Sequence, residues 1–170
     1  SICKMYSFKI WDGTDLKLTR NFVPCRNESG EVGMYDLVGK KFHGNGMTGG
    51  PFIPGYGVVG ALPQGFRRLS YVKATGSQHV NTGLILSENA EAEVVADVPN
   101  DATADQVLFG AWNAGDNRQF RFNVNRGGTK TVFWRANSSV TLGGFPAEGN
   151  PARVHASGKT VTVSTFAGGT

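Results

Sequence analysis

Apolar residues in this chain recur at every second position in short runs, and no segment holds a 3.6-residue period for three turns. That pattern restricts the fold to strands. Tyr6, Phe8 and Ile10 alternate ahead of Asp12-Gly13-Thr14-Asp15, and Leu16 to Val23 returns, so residues 5–24 read as a hairpin. Two more short strands, Val32–Tyr35 and Lys41–His43, flank a turn at 36–40. Further runs follow at Leu69–Lys73, Glu91–Val98, Gln106–Trp112, Gln119–Asn125, Thr131–Arg135, Arg153–Ala156 and Thr160–Thr165. Ala92, Val94, Ala96 and Val98 share one face of their strand, as do Phe120, Phe122 and Val124. Glycine, at 24 of 170 residues, has about twice its usual share and suits the tight turns that many short strands need. Short strands separated by turn signals predict a sandwich or a barrel.

A chain of this length buries roughly 70% of the surface its unfolded form exposes, so its core needs no staple. Residues 44–61 are rich in glycine and proline and read as a linker between a 1–43 segment and a 62–170 segment. No apolar run approaches the roughly 18 residues of a membrane span, so none is expected. The chain opens at Ser1 with neither a charged n-region nor an apolar h-region, so no signal peptide is expected, and its start without Met reads as a processed product or an excised segment. The net charge of +4 comes from cations scattered between Lys4 and Lys159, a pattern that favours solubility over a nucleic-acid face.

No grouping of residues assembles an active site. Glu91 and Glu93 share a strand face, but the third carboxylate that a glycosidase strand needs at i+5 is replaced by Ala96. Their reading is a solvated outer face. Gly44-Asn-Gly-Met-Thr-Gly49 spells a phosphate-binding pattern, yet Gly50-Pro-Phe-Ile-Pro54 cannot open the helix that the pattern requires. His43, His79 and His155 lack metal-ligand spacing, and Asp97, Asp101 and Asp105 form no complete calcium loop, so no metal or cofactor is expected. Arg121, Asn123 and Asn125 alternate with Phe120, Phe122 and Val124, which reads as aromatics inward and polar groups in water.

Two groups of residues leave alternatives open. Counting both arms of the first hairpin outward from Thr14 sets Cys3 opposite Cys25, where a disulfide is compatible with strand geometry and two buried thiols are the alternative. Trp112, Asn113, Asp116, Asn117 and Arg118 combine an aromatic with planar polar groups in one loop, which is the chemistry of sugar recognition. The alternative there is a Trp112 that ends a strand inside the core, followed by a polar turn.

The stretch Leu62-Pro-Gln-Gly-Phe-Arg-Arg-Leu-Ser-Tyr-Val-Lys-Ala-Thr-Gly-Ser-Gln-His-Val-Asn-Thr-Gly83 resembles the opening strands of laminin G-like, concanavalin A-like modules of bacterial surface and phage structural proteins. Cys3-Lys-Met-Tyr-Ser-Phe-Lys-Ile-Trp-Asp-Gly13, Arg20–Cys25 and Gly33–Val38 resemble their closing strands, and Val107–Ala111 fits the middle. The closing segment precedes the opening one, and the strand that should follow Phe166–Thr170 is absent. The resemblance implies an all-β antiparallel jelly-roll sandwich, either closed on itself in permuted order or completed by strands from a neighbouring chain. It further implies a non-catalytic module at an extracellular, cell or virion surface that binds a glycan or cell-surface ligand. The alternative is a structural subunit that self-associates through open sheet edges into a fibre or array.

Overall fold

The computed structural model of the chain describes residues 3–47, 49–75, 78–100, 105–113, 118–124, 127–136, 140–158 and 160–167. Fourteen strands and no helix are present among them. A ten-stranded antiparallel sheet contains β1 (Cys3–Asp12), β2 (Lys17–Arg26), β3 (Val32–Asp36), β4 (Lys41–His43), β5 (Ile53–Pro54), β6 (Arg67–Arg68), β7 (Val72–Ala74), β8 (Glu91–Asp97), β13 (Ala152–Ser157) and β14 (Thr160–Thr165). A four-stranded sheet runs β12-β11-β10-β9, from β12 (Val140–Leu142) through β11 (Lys130–Ala136) and β10 (Arg118–Val124) to β9 (Gln106–Asn113). Expectation and structure agree on the coarse class: an all-β chain of two antiparallel sheets. No helix among the described residues is long and apolar enough to cross a membrane.

Alternation along each strand builds the core. Phe8 and Ile10 of β1, Ala92, Val94 and Ala96 of β8, and Val154 and Ala156 of β13 come into line through antiparallel register, and all are buried. The four-stranded sheet lays Phe120, Phe122, Val132 and Trp134 against them, and Phe8 meets Phe109 at a centroid distance of 4.8 Å. Burying a side chain of this size contributes about 1.5–3 kcal/mol, so these pairs hold the layers together.

The large sheet joins the chain's two outer segments. β1 lies between β2 and β8, so residues 1–43 and 62–170 share one continuous ladder. The Gly/Pro-rich stretch between them is tied to the same sheet through β5 and through a bridge from Gly57 to Leu69.

Cys3 and Cys25 do not face each other. The hairpin turn spans residues 13–16, so Asp12 pairs with Lys17, and a bulge at Ile10/Trp11 then sets Phe8 opposite Phe22. Beyond Phe8 the two strands separate. β7 pairs with Cys3–Met5 on one arm, and β6 pairs with Cys25 and Arg26 on the other. Each cysteine therefore has its own neighbours, Ala74 for Cys3 and Gly33 and Arg68 for Cys25, and both are buried free thiols.

Candidate functional site

The outward face of the four-stranded sheet carries its polar chemistry on β10. Gln119, Arg121 and Asn123 alternate with the core residues Phe120 and Phe122 and project from the opposite face, at a spacing of about 6.8 Å per two residues. The alternation is the one expected from sequence, but the environment differs. Asn123 is buried and Arg121 and Gln119 are half-buried, because the neighbouring strands crowd this face. Phe133 pairs with Arg121 across the β10–β11 ladder, and its ring lies 4.5 Å beneath the guanidinium carbon. Thr131 flanks Asn123 in the same way.

On the β9 side Gly110 is the ladder partner of Arg121, and the space a Cβ would take there is already met by the side chains of Val107 and of Arg121 itself. Three polar atoms in this row, Gln119 Oε1, Arg121 Nε and Asn123 Oδ1, are buried without a hydrogen-bond partner. Each such atom costs about 1–3 kcal/mol unless a partner arrives. Two acceptors and one donor, each buried away from solvent, thus line one face of β10.

The loop singled out from sequence adjoins this row. Trp112 pairs with Gln119 and Asn113 pairs with Arg118, at the ends of β9 and β10. Asp116 and Asn117 lie outside the described residues, as do the side chains of Trp112, Asn113 and Arg118. From sequence Arg121 and Asn123 read as solvated, and the structure shows them half-buried and buried beside the ends of the Trp112–Arg118 loop. The signal visible in sequence is three planar polar side chains at alternate positions.

The large sheet carries a second apolar cluster, Val23, Cys25 and Tyr35 with Phe42, Leu62 and Phe66, and beside it Arg68 Nε and Ser70 Oγ are buried without a hydrogen-bond partner, while the carboxylates of β8 are satisfied. Glu93 accepts from Lys9 at 3.3 Å and lies 3.6 Å from Arg153. Glu91 accepts from the Ser157 hydroxyl and lies 3.5 Å from His155, whose ring meets Trp11 edge-on. Both carboxylates are therefore held by neighbours on their own sheet. Asp97 accepts from Lys4 at 3.0 Å and from the Gly149 N–H at 2.9 Å, while Asp101 lies outside the described residues. Among the described residues no three His, Cys, Asp or Glu side chains are grouped to hold a metal.

A second feature lies between the layers, along the edge of β9 that no strand pairs among the described residues. A cleft of about 1280 Å³ separates β9 from residues 78–88. Its floor is apolar, formed by Met5, Phe8, Phe22, Met34 and Phe52. Cys3 joins floor to wall by donating to Gln106 Oε1 at 2.8 Å. Burial raises the Cys3 thiol pKa to about 11 and the Cys25 thiol to about 12, so neither is a nucleophile at neutral pH.

The fold is a two-sheet antiparallel β-protein in which, among the described residues, the β10 row, Arg68 Nε, Ser70 Oγ and Trp134 Nε1 hold buried polar atoms without a partner. Comparison of the chain with protein-family models, with curated proteins and with solved structures finds no match.

Proposed function

We propose that this chain is a non-catalytic glycan-binding module of the concanavalin A-like, laminin G-like kind, and that β10 and its neighbours form the binding face. The observation that carries the reading is the row of Gln119, Arg121 and Asn123 with unpartnered buried atoms beside Phe133. The two amide oxygens require donors and the guanidinium Nε requires an acceptor. A sugar supplies both, because each hydroxyl donates once and accepts twice. A phosphate would satisfy Arg121 but would set its oxygens against those of Gln119 and Asn123. Phe133, already stacked on Arg121, offers an apolar surface for the C–H face of a pyranose. A module of this kind acts outside the cell or on a virion, where glycans are displayed.

A glycan array probed with the whole chain tests the reading. Saturable binding to a defined saccharide is expected, weakened roughly tenfold or more by Asn123→Ala with the β-sheet circular dichroism unchanged. An array without binders, or equal binding by Asn123→Ala, would overturn it.

A further inference from the structure

We infer that the cleft beside β9 receives a β-strand of about eight residues from another polypeptide, one with apolar side chains at alternate positions. The inference stands apart from the glycan face and rests on the two walls of the cleft. β9 spans Gln106–Asn113 and pairs only with β10 among the described residues, so its outer edge presents a row of main-chain donors and acceptors. The opposite wall, residues 78–86, is strand-like without a ladder. Its exposure alternates residue by residue, with Val80, Leu84 and Leu86 packed on the core, yet it joins no strand.

A strand laid between these walls would extend the four-stranded sheet by one. Its alternate side chains would descend onto Phe8, Phe22 and Phe52. The volume exceeds the roughly 300–1,000 Å³ of common small-molecule pockets. Each wall also sets an aliphatic residue in water at the mouth: Ile85 is 95% exposed and Val107 57%. A second copy of this chain is a poor donor. The described alternating segments are already paired in its own sheets or form the cleft wall, and residues 44–61 are Gly/Pro-rich.

The test titrates the whole chain with a panel of eight-residue peptides that alternate threonine with valine, isoleucine, leucine or phenylalanine. The controls are the same peptides N-methylated at alternate amides, dodecanoate, and solution mass across a dilution series. Saturable peptide binding is expected, with new amide-exchange protection in β9. N-methylation should weaken it roughly tenfold or more, because the side chains stay and the ladder is lost. Ile85→Glu, at an exposed position that leaves folding intact, should weaken it as well. Four results would overturn the inference. These are no binding across the panel, equal binding of N-methylated peptides, binding of dodecanoate alone, or self-association that Ile85→Glu abolishes.

Discussion

Asp12 and Ser87 are 75 residues apart in sequence, and the carboxylate of Asp12 accepts both the backbone N–H of Ser87, at 3.2 Å, and its hydroxyl. The same carboxylate accepts from Gly13 N–H at 2.7 Å inside the first hairpin turn. One side chain thus closes the turn and pins the end of the cleft wall. Burial alone pushes this carboxyl pKa up, but the hydrogen bonds from Ser87 and Gly13 outweigh it and leave it below the ordinary value of 3.8.

A carboxylate with a depressed pKa contributes its stabilisation above the unfolded value and loses it as pH falls through the folded one. The anchor should therefore hold at neutral pH and release in acid below about pH 4. Asp12→Ala should speed amide exchange across residues 80–87 at pH 7 while β8 and β13 stay protected. Exchange unchanged in that segment would contradict the assignment.

Asp36 does comparable work for the turn at 36–41, where Lys40 has a φ of +53°. Its carboxylate is 1% exposed, accepts from the N–H groups of Asn21 and Val38 at 3.0 Å each, and lies 3.4 Å from Arg20 Nε. Asp36→Ala orphans these donors, so a loss of about 3 kcal/mol is expected from urea unfolding. A loss below about 1 kcal/mol would show that water takes over the carboxylate's role.

Gly33 sits where β3 crosses β4. A Cβ there would run into the carbonyl of His43 and come within 2.8 Å of the Phe42 ring. Gly33→Ala should cost about 1–3 kcal/mol by overpacking, read as a lower urea midpoint with unchanged slope. Full retention of the midpoint would mean that β4 can move aside.

The buried thiols set a pH dependence of the opposite sign to that of Asp12. Their folded pKa values, about 11 and about 12, lie above the ordinary 9.0, so the unfolded chain loses these protons first. Stability is flat with respect to these groups below pH 9 and falls as pH rises from there through 11 and 12. Iodoacetamide at pH 8 should leave both cysteines unmodified in the folded chain and alkylate both in urea. Rapid alkylation of Cys3 alone would show the cleft floor opening.

Strand positions were legible because alternation survives any tertiary context that buries one face. Glu91–Val98, read from its own residues, is β8 to within one residue. Pairing was less legible. Nothing local in Cys3–Asp12 announces that β6 and β7 will separate its hairpin, since that depends on residues more than 40 positions away. The polar row of β10 was visible as alternation but was assigned to water, because sequence does not show that Phe133 and Thr131 crowd it. Residues 78–86 carry Val80, Leu84 and Leu86 four and two positions apart, and sequence marked only 78–83 of them, through the resemblance of 62–83 to opening strands.

The proposed sugar-binding surface is the outward face of the four-stranded sheet. Chemical-shift mapping of backbone amides during titration with a saccharide selected on the array tests it most directly. Saturable shifts concentrated in Gln119–Asn123 and Thr131–Phe133 are expected, with Glu91, Glu93 and the cleft floor silent. Shifts confined to the outward face of the large sheet, or none that saturate, would contradict it.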